Sequence, residues 1–453
     1  MKRNNKKGFT VVELVIVIAI IAILAGVLIP TFAGLIKKAN TSADIQGCRE
    51  MNTFLAVNEV TAGKNIVDVY TALEEGGMDA KDYTPLSSDT YYYWDSVLNR
   101  ILYTDKNKNV IYPEEYKDVK SKDVDSTNGH QWYSLNGKID TSNATVQIPT
   151  SAPSANEPTT LAAANAADLV KIAEYVRKYQ SQLSENNNIE ITITADMNLN
   201  GADIAFTEGN DSNHKPNVTI KGKDDQVYTI TGLYISDKHS GLGYSGDGTS
   251  GNNYGGAMFG WVNNLTVKYL TIDSAVVGSY NTKHTAIFAS HVTGNVEITN
   301  VKVHNSTVYG QNKTGLLFGY VTKDDYQVTI TDVEIENSKV YSDQGECGLL
   351  FGVVTGNTQS TFAGSITLSD IRVTNSSASI NPSVNTEEYD GKKYVHYKTE
   401  GEEKKYRIAT ATYGFYGLNQ QSTYYQKSID GFGTITIWTA INEVGTFNSL
   451  PNN

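Results

Sequence analysis

Two aspartates, Asp332 and Asp370, are the residues whose type and spacing could support catalysis. They fall in one column of an internal repeat, so a fold that stacks the repeats would bring the two carboxylates together. Paired carboxylates are what hydrolysis of a glycosidic bond requires. Other copies of the repeat hold Gly232, Tyr269 and Asn300 in that column. Because Asp and Asn at a corner also cap their own backbone turn, we interpret the column as structural and expect that the protein is not an enzyme.

A second group of residues, Gly8, Phe9 and Glu13, follows a basic start of the chain. Glu13 stands at the edge of a run from Leu14 to Phe32 that has no charged side chain and is long enough to span a bilayer as a helix. A lone acid there is costly in lipid, so we expect it to have a partner. A secretory signal peptide fits poorly, because no small-x-small cleavage site closes the run. An ordinary membrane anchor, with a Glu13 that only snorkels to the headgroups, is the other alternative.

These N-terminal residues resemble the leader and first helix of type IV pilins and pseudopilins. The resemblance covers about the first fifty residues. It implies that a prepilin peptidase cuts between Gly8 and Phe9 and methylates the new amine of Phe9. It also implies that Phe9, Glu13 and Pro30 serve assembly, with Glu13 paired to the Phe9 amine of a neighbouring subunit. Opposite charges in an apolar bundle stabilise it only if they meet, so the physical argument agrees with the resemblance.

The composition indicates an exported, acidic protein. The net charge of −12 disfavours nucleic-acid binding through the body of the chain. Cys48 and Cys347 are too few for a disulfide scaffold, and neither has a second cysteine ligand nearby for a metal. Low cysteine usage in an exported chain also favours a Gram-positive source.

The elements before residue 165 are predicted from periodicity and turn residues. A helix over residues 9–60 presents an apolar stripe that includes Ala43, Gly47, Met51 and Leu55. A short helix at 65–75, a hairpin at 91–113 and a strand at 131–139 indicate a small α+β head like those of Gram-positive pilin-like proteins. The proline-rich stretch that follows reads as an extended linker.

Four copies of an apolar motif follow, with phenylalanines at Phe259, Phe288, Phe318 and Phe351. Each copy continues into an apolar quartet with internal steps of 3, 2 and 5, which predicts one solenoid coil per copy. The region resembles right-handed parallel β-helix domains with GLUG-type repeats on bacterial surface proteins. A helix at 168–184, with Asp168 as its N-cap, is expected to close the first coil.

The predicted fold class is therefore a long N-terminal α-helix plus a small α+β pilin-like head, followed by an all-β right-handed parallel β-helix. The predicted domains are a leader at 1–8, a membrane and assembly helix at 9–60, a head at 61–144, a linker at 145–164, a capping helix with β-helix repeats at 165–380, and a C-terminal cap at 381–453.

Ligand-binding signals in the repeat are few. A column of Ser274, Asn305, Asn337 and Asn375 reads as a stabilising polar ladder. His284, His291 and His304 fall in non-equivalent positions, so we expect neither a metal site nor an acid–base cluster. We expect no cofactor, although aspartate-rich turns at 209–213 and 224–225 have the oxygen ligands that calcium prefers. Exposed tyrosines are the expected contacts for a carbohydrate or protein ligand: Tyr244, Tyr254, Tyr280 and Tyr309.

These features lead to one main functional hypothesis and two alternatives. The main one is a membrane-inserted, fibre-forming pilin subunit, minor or at the tip, that displays an extracellular β-helix for adhesion or ligand contact. Its expected partners are a prepilin peptidase, other pilin subunits and the membrane. The alternatives are a pseudopilin of a secretion or DNA-uptake system and a surface-anchored enzyme acting on polysaccharides.

Overall fold

The computed structural model describes most of the chain in two compact units. The described residues are 11–58, 66–78, 82–121, 130–135, 139, 141–155, 157–207, 213–236, 253–254, 256–278, 282–321, 326–343, 347–354, 362–380, 387–389, 392–400, 403–408, 412–413 and 432–436. The first unit is Met1–Lys64 with Asp68–Lys120, and the second is Asn65–Val67 with Ser121–Asn453. The predicted leader, residues 1–8, lies outside the described residues.

The first unit is built on helix α1, Val11–Val57, which confirms the long N-terminal helix and runs through Pro30 without a break. Its buried face is formed by Asp44, Cys48, Met51 and Leu55, whereas Ala43 is exposed. Met51 and Leu55 of the predicted stripe are confirmed, but Asp44 and Cys48 replace Ala43 and Gly47, because a buried acid takes a place that hydropathy alone would not give it. Counting only the residues that the structure describes, no helix has an apolar stretch long enough to cross a membrane.

A short helix, as predicted, and three antiparallel strands, where the sequence predicted a hairpin, complete this unit. Helix α2, Ile66–Glu75, ends at Gly76 and Gly77, and Gly77 takes the positive φ that commonly closes a helix. Strands β1 (Thr90–Asp95), β2 (Arg100–Asp105) and β3 (Val110–Tyr112) follow, and a 3₁₀ turn covers Glu114–Tyr116. Three successive residues of β2, Ile101, Leu102 and Tyr103, are fully buried. The strand is thus covered on both faces, rather than alternating between core and solvent.

The second unit begins with β4 (Trp132–Ser134), a 3₁₀ turn (Thr141–Asn143) and a proline-rich segment that packs against helix α3, Ala166–Lys178. The hydroxyl of Tyr175 donates to the Ser151 carbonyl at 2.9 Å, and that of Tyr179 donates to Thr150 at 2.7 Å. Thr159–Ala163 forms β5, although the sequence predicted a linker there. Extended proline-rich backbone leaves its carbonyls free, and the helix tyrosines use them.

Asn165, not Asp168, caps α3, because its Oδ1 accepts from the Asp168 N–H at 2.9 Å. Asp168 is fully buried and serves another purpose. Its carboxylate accepts from the backbone N–H groups of Thr145, of Val146 at 2.8 Å and of Ala164 at 3.0 Å. Burial opposes its ionisation, but these donors prevail and lower the pKa of Asp168 below its ordinary value.

A parallel β-solenoid forms the body of the second unit and confirms the predicted architecture. One long sheet contains β5, β6 (Asn188–Ile193), β8 (Asn217–Gly222), β13 (Leu265–Asp273), β17 (Val296–His304), β21 (Gln327–Glu336), β25 (Phe362–Thr374) and β31 (Phe432–Thr436), with β7 (Met197–Asn198) and β9 (Tyr228–Thr231) beside that path. Since β31 pairs in parallel with β25, the stacking extends past residue 380, where the repeat in the sequence ends.

Two further sheets form the other sides of the coils. The first contains β10 (Tyr234–Ile235), β14 (Val276–Gly278), β18 (Thr307–Gly310), β22 (Lys339–Ser342), β26 (Ser377–Ile380) and β30 (Thr412–Tyr413), and the second β12 (Phe259–Val262), β16 (Ala289–Val292), β20 (Phe318–Val321) and β24 (Phe351–Val354). Short pairs join β11 (Asn253–Tyr254) to β15 (Thr282–Lys283) and β19 (Thr314–Gly315) to β23 (Cys347–Gly348). Strands β27 (Glu387–Tyr389), β28 (Lys392–Glu400) and β29 (Glu403–Ile408) form an antiparallel sheet within the predicted C-terminal cap.

The corners explain the steps of 3 and 5 in the repeat. Every described residue in the two polar columns has a positive φ, between 49° and 68°: Tyr269, Asn300, Asp332 and Asp370 in one, and Gly232, Ser274, Asn305, Asn337 and Asn375 in the other. The sequence placed Gly232 in the first column, but Thr231 is the strand partner of Asp273 and Tyr234 that of Val276, so Gly232 is in register with Ser274. A left-handed residue turns the strand and shifts its alternation by one. Asn and Asp tolerate this conformation better than most residues do, which accounts for their abundance there.

One phenylalanine of the repeat is out of register. Phe259 is the strand partner of Ala289, and Ala289 is the partner of Phe318, so Phe288 precedes the expected column by one residue. The coil at 286–292 has one residue more than its neighbours and accommodates it before β16. The aromatic stacks that do form join Phe206 to Phe259, with ring centroids 4.9 Å apart, and Phe318 to Phe351, at 5.1 Å.

We predict that Asp168→Ala destabilises the second unit by about 2–4 kcal/mol, because buried N–H donors would lose a charged acceptor. Urea denaturation of the full chain in detergent, followed by circular dichroism, measures this loss. The exposed Glu185→Ala is the control and should cost less than about 0.5 kcal/mol. Because the folded-state pKa is lowered, the contribution is complete above the unfolded-state pKa of about 3.9 and is lost as pH falls through the folded value. Equal losses in the two variants would contradict this role.

Candidate functional site

The N-terminal residues predicted to serve processing and assembly lie at the margin of the described structure. Gly8 and Phe9 are outside the described residues, and Glu13 and Pro30 lie in α1, where only the backbone is described. These site assignments therefore stay predictions. The described side chains of α1 that follow are apolar and exposed, with Leu14, Val15 and Ile18 between 55% and 58% accessible. Apolar surface of this extent on a helix requires a cover of lipid or protein.

The other half of α1 is fixed to the first unit by Asp44. Its Oδ1 accepts from the Leu86 N–H at 2.7 Å, and its Oδ2 accepts from the Ser87 N–H and the Tyr103 hydroxyl, both at 3.0 Å. The hydroxyl of Tyr92 donates to the Asp44 carbonyl at 2.7 Å. A buried carboxylate is tolerated when donors surround it, so Asp44 holds the helix to the head in one register.

One helical turn later, the helix binds strand β2 through Asn52 and Cys48. The Asn52 side chain donates to the Ile101 carbonyl and accepts from the Ile101 N–H, both at 2.9 Å. The Cys48 thiol donates to the same carbonyl at 3.3 Å. Burial raises the pKa of Cys48 to about 12, against smaller opposing effects of Tyr103 and Arg49. This cysteine is therefore an unreactive thiol that packs in the core.

The first unit also has an open groove of about 620 Å³ beside the end of α1. Arg49, Arg100, Tyr112 and Tyr116 line it. The guanidinium of Arg49 lies over the Tyr112 ring at 5.1 Å and donates to its hydroxyl at 3.1 Å. The groove can accept an anionic or aromatic group, although the arginine is already engaged.

The aspartate column that suggested catalysis is a set of corners. Asp332 and Asp370 both have a φ of 53°. Asp332 accepts from the Arg372 guanidinium at 3.0 Å, and the two groups are about 40% exposed. Asp332 is thus held in a partly exposed ion pair at a corner, not in an apolar pocket of the kind that surrounds a buried general acid. The geometry therefore supports the structural interpretation of this column.

The second column is a polar ladder, as predicted, and a serine ladder runs beside it. Asn337 Nδ2 reaches Asn305 Oδ1 at 3.4 Å, and Asn305 Nδ2 donates to Asp273 at 2.8 Å. The serine hydroxyls accept from backbone N–H groups of the preceding coil, at 3.0–3.2 Å: Ser306, Ser338 and Ser376. The sequence analysis missed these serines, although their constant place after the asparagine column was the available signal.

His284 and His291, which the sequence analysis kept apart, meet in a buried cluster. His284 Nδ1 and His291 Nε2 are in hydrogen-bond contact, and the indole of Trp261 stacks on His291 with centroids 3.9 Å apart. Lys313 Nζ lies 4.1 Å from the centre of the Tyr320 ring, which contacts both imidazoles. The expectation of neither a metal site nor an acid–base cluster stays a prediction, but the two imidazoles, seven residues apart in the chain, do meet.

Both imidazoles of this cluster are held neutral. Burial, and then the charges of His291, Lys313 and Lys283, keep the pKa of His284 well below its ordinary value. Burial and Lys313 have the same effect on the pKa of His291. One neutral imidazole donates to the other, so the pair satisfies itself without a proton from solvent.

Of the four tyrosines predicted to contact a ligand, two are described in part or in full. Tyr309 is only 6% exposed and stacks on Tyr341 with centroids 5.5 Å apart, so its assignment as a surface contact was wrong. It occupies the stacking column of β18 and β22, where the coil above covers it. Tyr254 lies in β11 by its backbone, while Tyr244 and Tyr280 lie outside the described residues, as does most of the turn at 209–213.

Comparison with known proteins concerns the N-terminal segment. Residues 3–29 match the prokaryotic N-terminal methylation motif. Fimbrial protein Q of Moraxella bovis is 42% identical over 73 residues, which are 16% of this chain and 38% of that protein. The type IV wide pilus major component PilA4 of Thermus thermophilus is 67% identical over 37 residues, 8% of this chain and 28% of that protein. The N-terminal segment of this chain is therefore similar to that of type IV pilins.

This pilin-type N-terminus accounts for a small share of the molecule. The type IV major alpha-pilin of Moraxella bovis matches over the same length, 73 residues, at 42% identity and 37% of its own length. The chain thus spans less than two fifths of the curated relatives that it matches. No solved structure matches the chain. The family model covers residues 3–29, and the solenoid lies outside them.

We predict that the second unit loses stability as pH falls from 7.5 to 5.5. The pKa values of His284 and His291 are lowered in the folded state, whereas an unfolded histidine has a pKa of about 6.5. Below that pH the two histidines bind protons in the unfolded chain but not in the folded chain. Each histidine therefore lowers the free energy of unfolding by on the order of 1 kcal/mol at pH 5.5. The thermal midpoint at a series of pH values measures the effect.

The contribution of His284 and His291 is isolated by the slope of the thermal midpoint against pH, not by the midpoint itself. His284→Gln with His291→Gln should flatten the slope between pH 7.5 and 5.5, whereas His214→Gln, outside the cluster, should leave it unchanged. A double variant with the slope of the original protein would show that other groups cause the pH dependence.

Proposed function

We propose that the chain is a type IV pilin-like subunit that inserts in the membrane, joins a fibre and displays the β-solenoid outside the cell. The methylation motif at residues 3–29, together with relatives named as fimbrial and pilus proteins, is the observation that carries the proposal. Because those relatives are matched over less than two fifths of their length, the role of the whole protein is part of the proposal.

The N-terminal helix would both anchor the subunit and assemble it. Cleavage between Gly8 and Phe9 by a prepilin peptidase, followed by methylation, leaves a charged amine on Phe9. In an apolar bundle this amine and the Glu13 carboxylate of a neighbour satisfy one another. The exposed apolar residues of α1 then pass from lipid to the helices of other subunits. Pro30 removes one helical hydrogen bond and lets the helix adjust to its neighbours.

The solenoid would serve as a displayed contact surface for a carbohydrate or protein. Its coils are held by backbone pairing, buried aromatic stacks and polar ladders, so its surface is preorganised for contact. A solenoid of this bulk on every subunit would hinder dense packing, which favours a minor or tip position. The acidic surface disfavours nucleic acid as the partner. A Gram-positive source stays a prediction from the low cysteine content.

Two other functions would use the same parts differently. A pseudopilin of a secretion or DNA-uptake system would keep the N-terminal helix and use the solenoid to engage exported cargo. Labelling of surface fibres with an antibody against the solenoid distinguishes the two, since a pseudopilin would give no labelled surface fibre. A polysaccharide-acting enzyme is disfavoured by the corner geometry of Asp332 and Asp370. Glycan turnover that Asp332→Asn or Asp370→Asn abolishes would favour it.

We predict that Gly8→Val blocks removal of the leader, because a branched side chain beside the cleaved bond would hinder the peptidase. Mass spectrometry of the protein from membranes should show Phe9 as the methylated N-terminus of the original chain and an intact leader in the variant. Asn5→Val, also in the leader, is the control and should be cleaved. A mature N-terminus other than Phe9 would contradict the assignment.

We predict that Glu13→Ala is processed normally but enters fibres poorly, because an unpaired Phe9 amine would remain in the apolar bundle. Immunoblots of sheared fibres against membrane fractions measure the distribution. Thr10→Ala, three residues earlier in the sequence, is the control and should assemble. Unchanged incorporation of the Glu13 variant would indicate that the helix is only a tether.

A further inference from the structure

The outer face of the long sheet holds a row of charged side chains near the asparagine corner. On adjacent parallel strands, Asp273 of β13 is the register partner of His304 of β17, which is the partner of Glu336 of β21. Glu334 lies two residues before Glu336 and therefore on the same face. The row alternates carboxylate, imidazole and carboxylate at the spacing of neighbouring strands.

Three ligand atoms of this row converge. One atom each from His304, Glu334 and Glu336 lies within 4.8 Å of the other two. His304 Nε2 and Glu334 Oε1 are 3.2 Å apart. Two ligands at about 2.1 Å from a tetrahedral ion are roughly 3.4 Å from each other. The three side chains thus already stand near the separations that such an ion requires.

The ladder beside the row positions its carboxylates. Asn337 Nδ2 lies 3.4 Å from Glu336 Oε1, and Asn305 Nδ2 donates to Asp273 at 2.8 Å. The side chains of His304 and Glu334 are 24% and 29% exposed, so water reaches them only in part. In protein metal sites, neighbouring residues orient the ligand carboxylates by hydrogen-bonding to them.

Two cationic side chains lie close to the Glu334 carboxylate. Lys302 Nζ and the Arg372 guanidinium each approach Glu334 Oε2 at 3.7 Å. They approach the oxygen that does not face His304, and Arg372 is closer to Asp332, at 3.0 Å. Glu334 Oε1 therefore faces His304 Nε2, while Lys302 and Arg372 approach the other oxygen of the same carboxylate.

We propose that His304, Glu334 and Glu336 form a binding site for a divalent transition-metal ion of the zinc class. An imidazole nitrogen favours Zn²⁺ over Ca²⁺ and Mg²⁺, which prefer sites made wholly of oxygen. Three protein ligands leave a fourth position for water or for a group of a binding partner. The bound ion ties coils β17 and β21 together. The proposed metal site departs from the expectation, drawn from the sequence, that the protein binds no metal, and it is independent of the proposed pilin-like role.

The test uses the full chain in detergent, stripped with EDTA and titrated with ZnCl₂ alone. We expect saturable binding of one equivalent by isothermal titration calorimetry, a higher thermal midpoint with Zn²⁺, and a visible absorption band of tetrahedral Co²⁺ when CoCl₂ replaces it. CaCl₂ and MgCl₂ should give neither binding nor a shift. His304→Gln and Glu336→Gln should each weaken Zn²⁺ binding more than about tenfold.

The control is Glu297→Gln, a carboxylate on the same strand as His304 that pairs with Lys268 at 2.7 Å in a neighbouring row. It should bind Zn²⁺ like the original chain. Circular dichroism of each variant without metal separates loss of the site from loss of the fold, and His304→Gln retains a polar side chain for Glu334. No saturable binding, or binding that His304→Gln and Glu336→Gln leave unchanged in folded protein, would overturn the proposal.

Discussion

The left-handed corner is the constraint on which the second unit depends. Each long strand bends at one column of residues with a φ near 50°, and the chain leaves the long sheet at the second such column, directly after the strand ends. Non-glycine residues adopt this conformation at a cost, which Asn and Asp keep small. Once the corners agree from coil to coil, the strands between them pair in parallel and the apolar quartets stack into a continuous core. A coil with a different corner would lose its register with both neighbours.

This constraint explains why the residues that first suggest chemistry have a structural role. Asp332 and Asp370 are paired in sequence because they are corners, and corners stack. The groups that can do chemistry lie instead where one coil departs from its neighbours. His291 occupies a position that holds Trp261 and Tyr320 in the adjacent coils, and His304 lies between Asp273 and Glu336. A repeat fixes the backbone, so the deviations from it are free to carry function.

The architecture could be predicted from the sequence because its periodic signals are long. The helix, the hairpin and the coils each repeat a spacing that a single backbone geometry imposes. The details that failed depend on single events. One extra residue before β16 moved Phe288 out of the aromatic column, and His284 meets His291 although the two occupy non-equivalent positions of the repeat. Asn165 took the cap that Asp168 was expected to provide, because three other backbone donors claimed that carboxylate. None of these follows from the periodic pattern of apolar residues.

Three of the seven histidines of the chain fall between His284 and His304, in the coil that carries the extra residue. On one side of this coil, two imidazoles are buried beside Lys313 and stay neutral. On the other side, His304 faces carboxylates and is accessible in part. An accessible imidazole among carboxylates favours binding of a cation, while a buried pair beside a lysine excludes one. The same residue type therefore serves cohesion on one face of the coil and binding on the other. The outer face around His304 and Glu336 is therefore the part of the solenoid whose charge and geometry favour a binding contact.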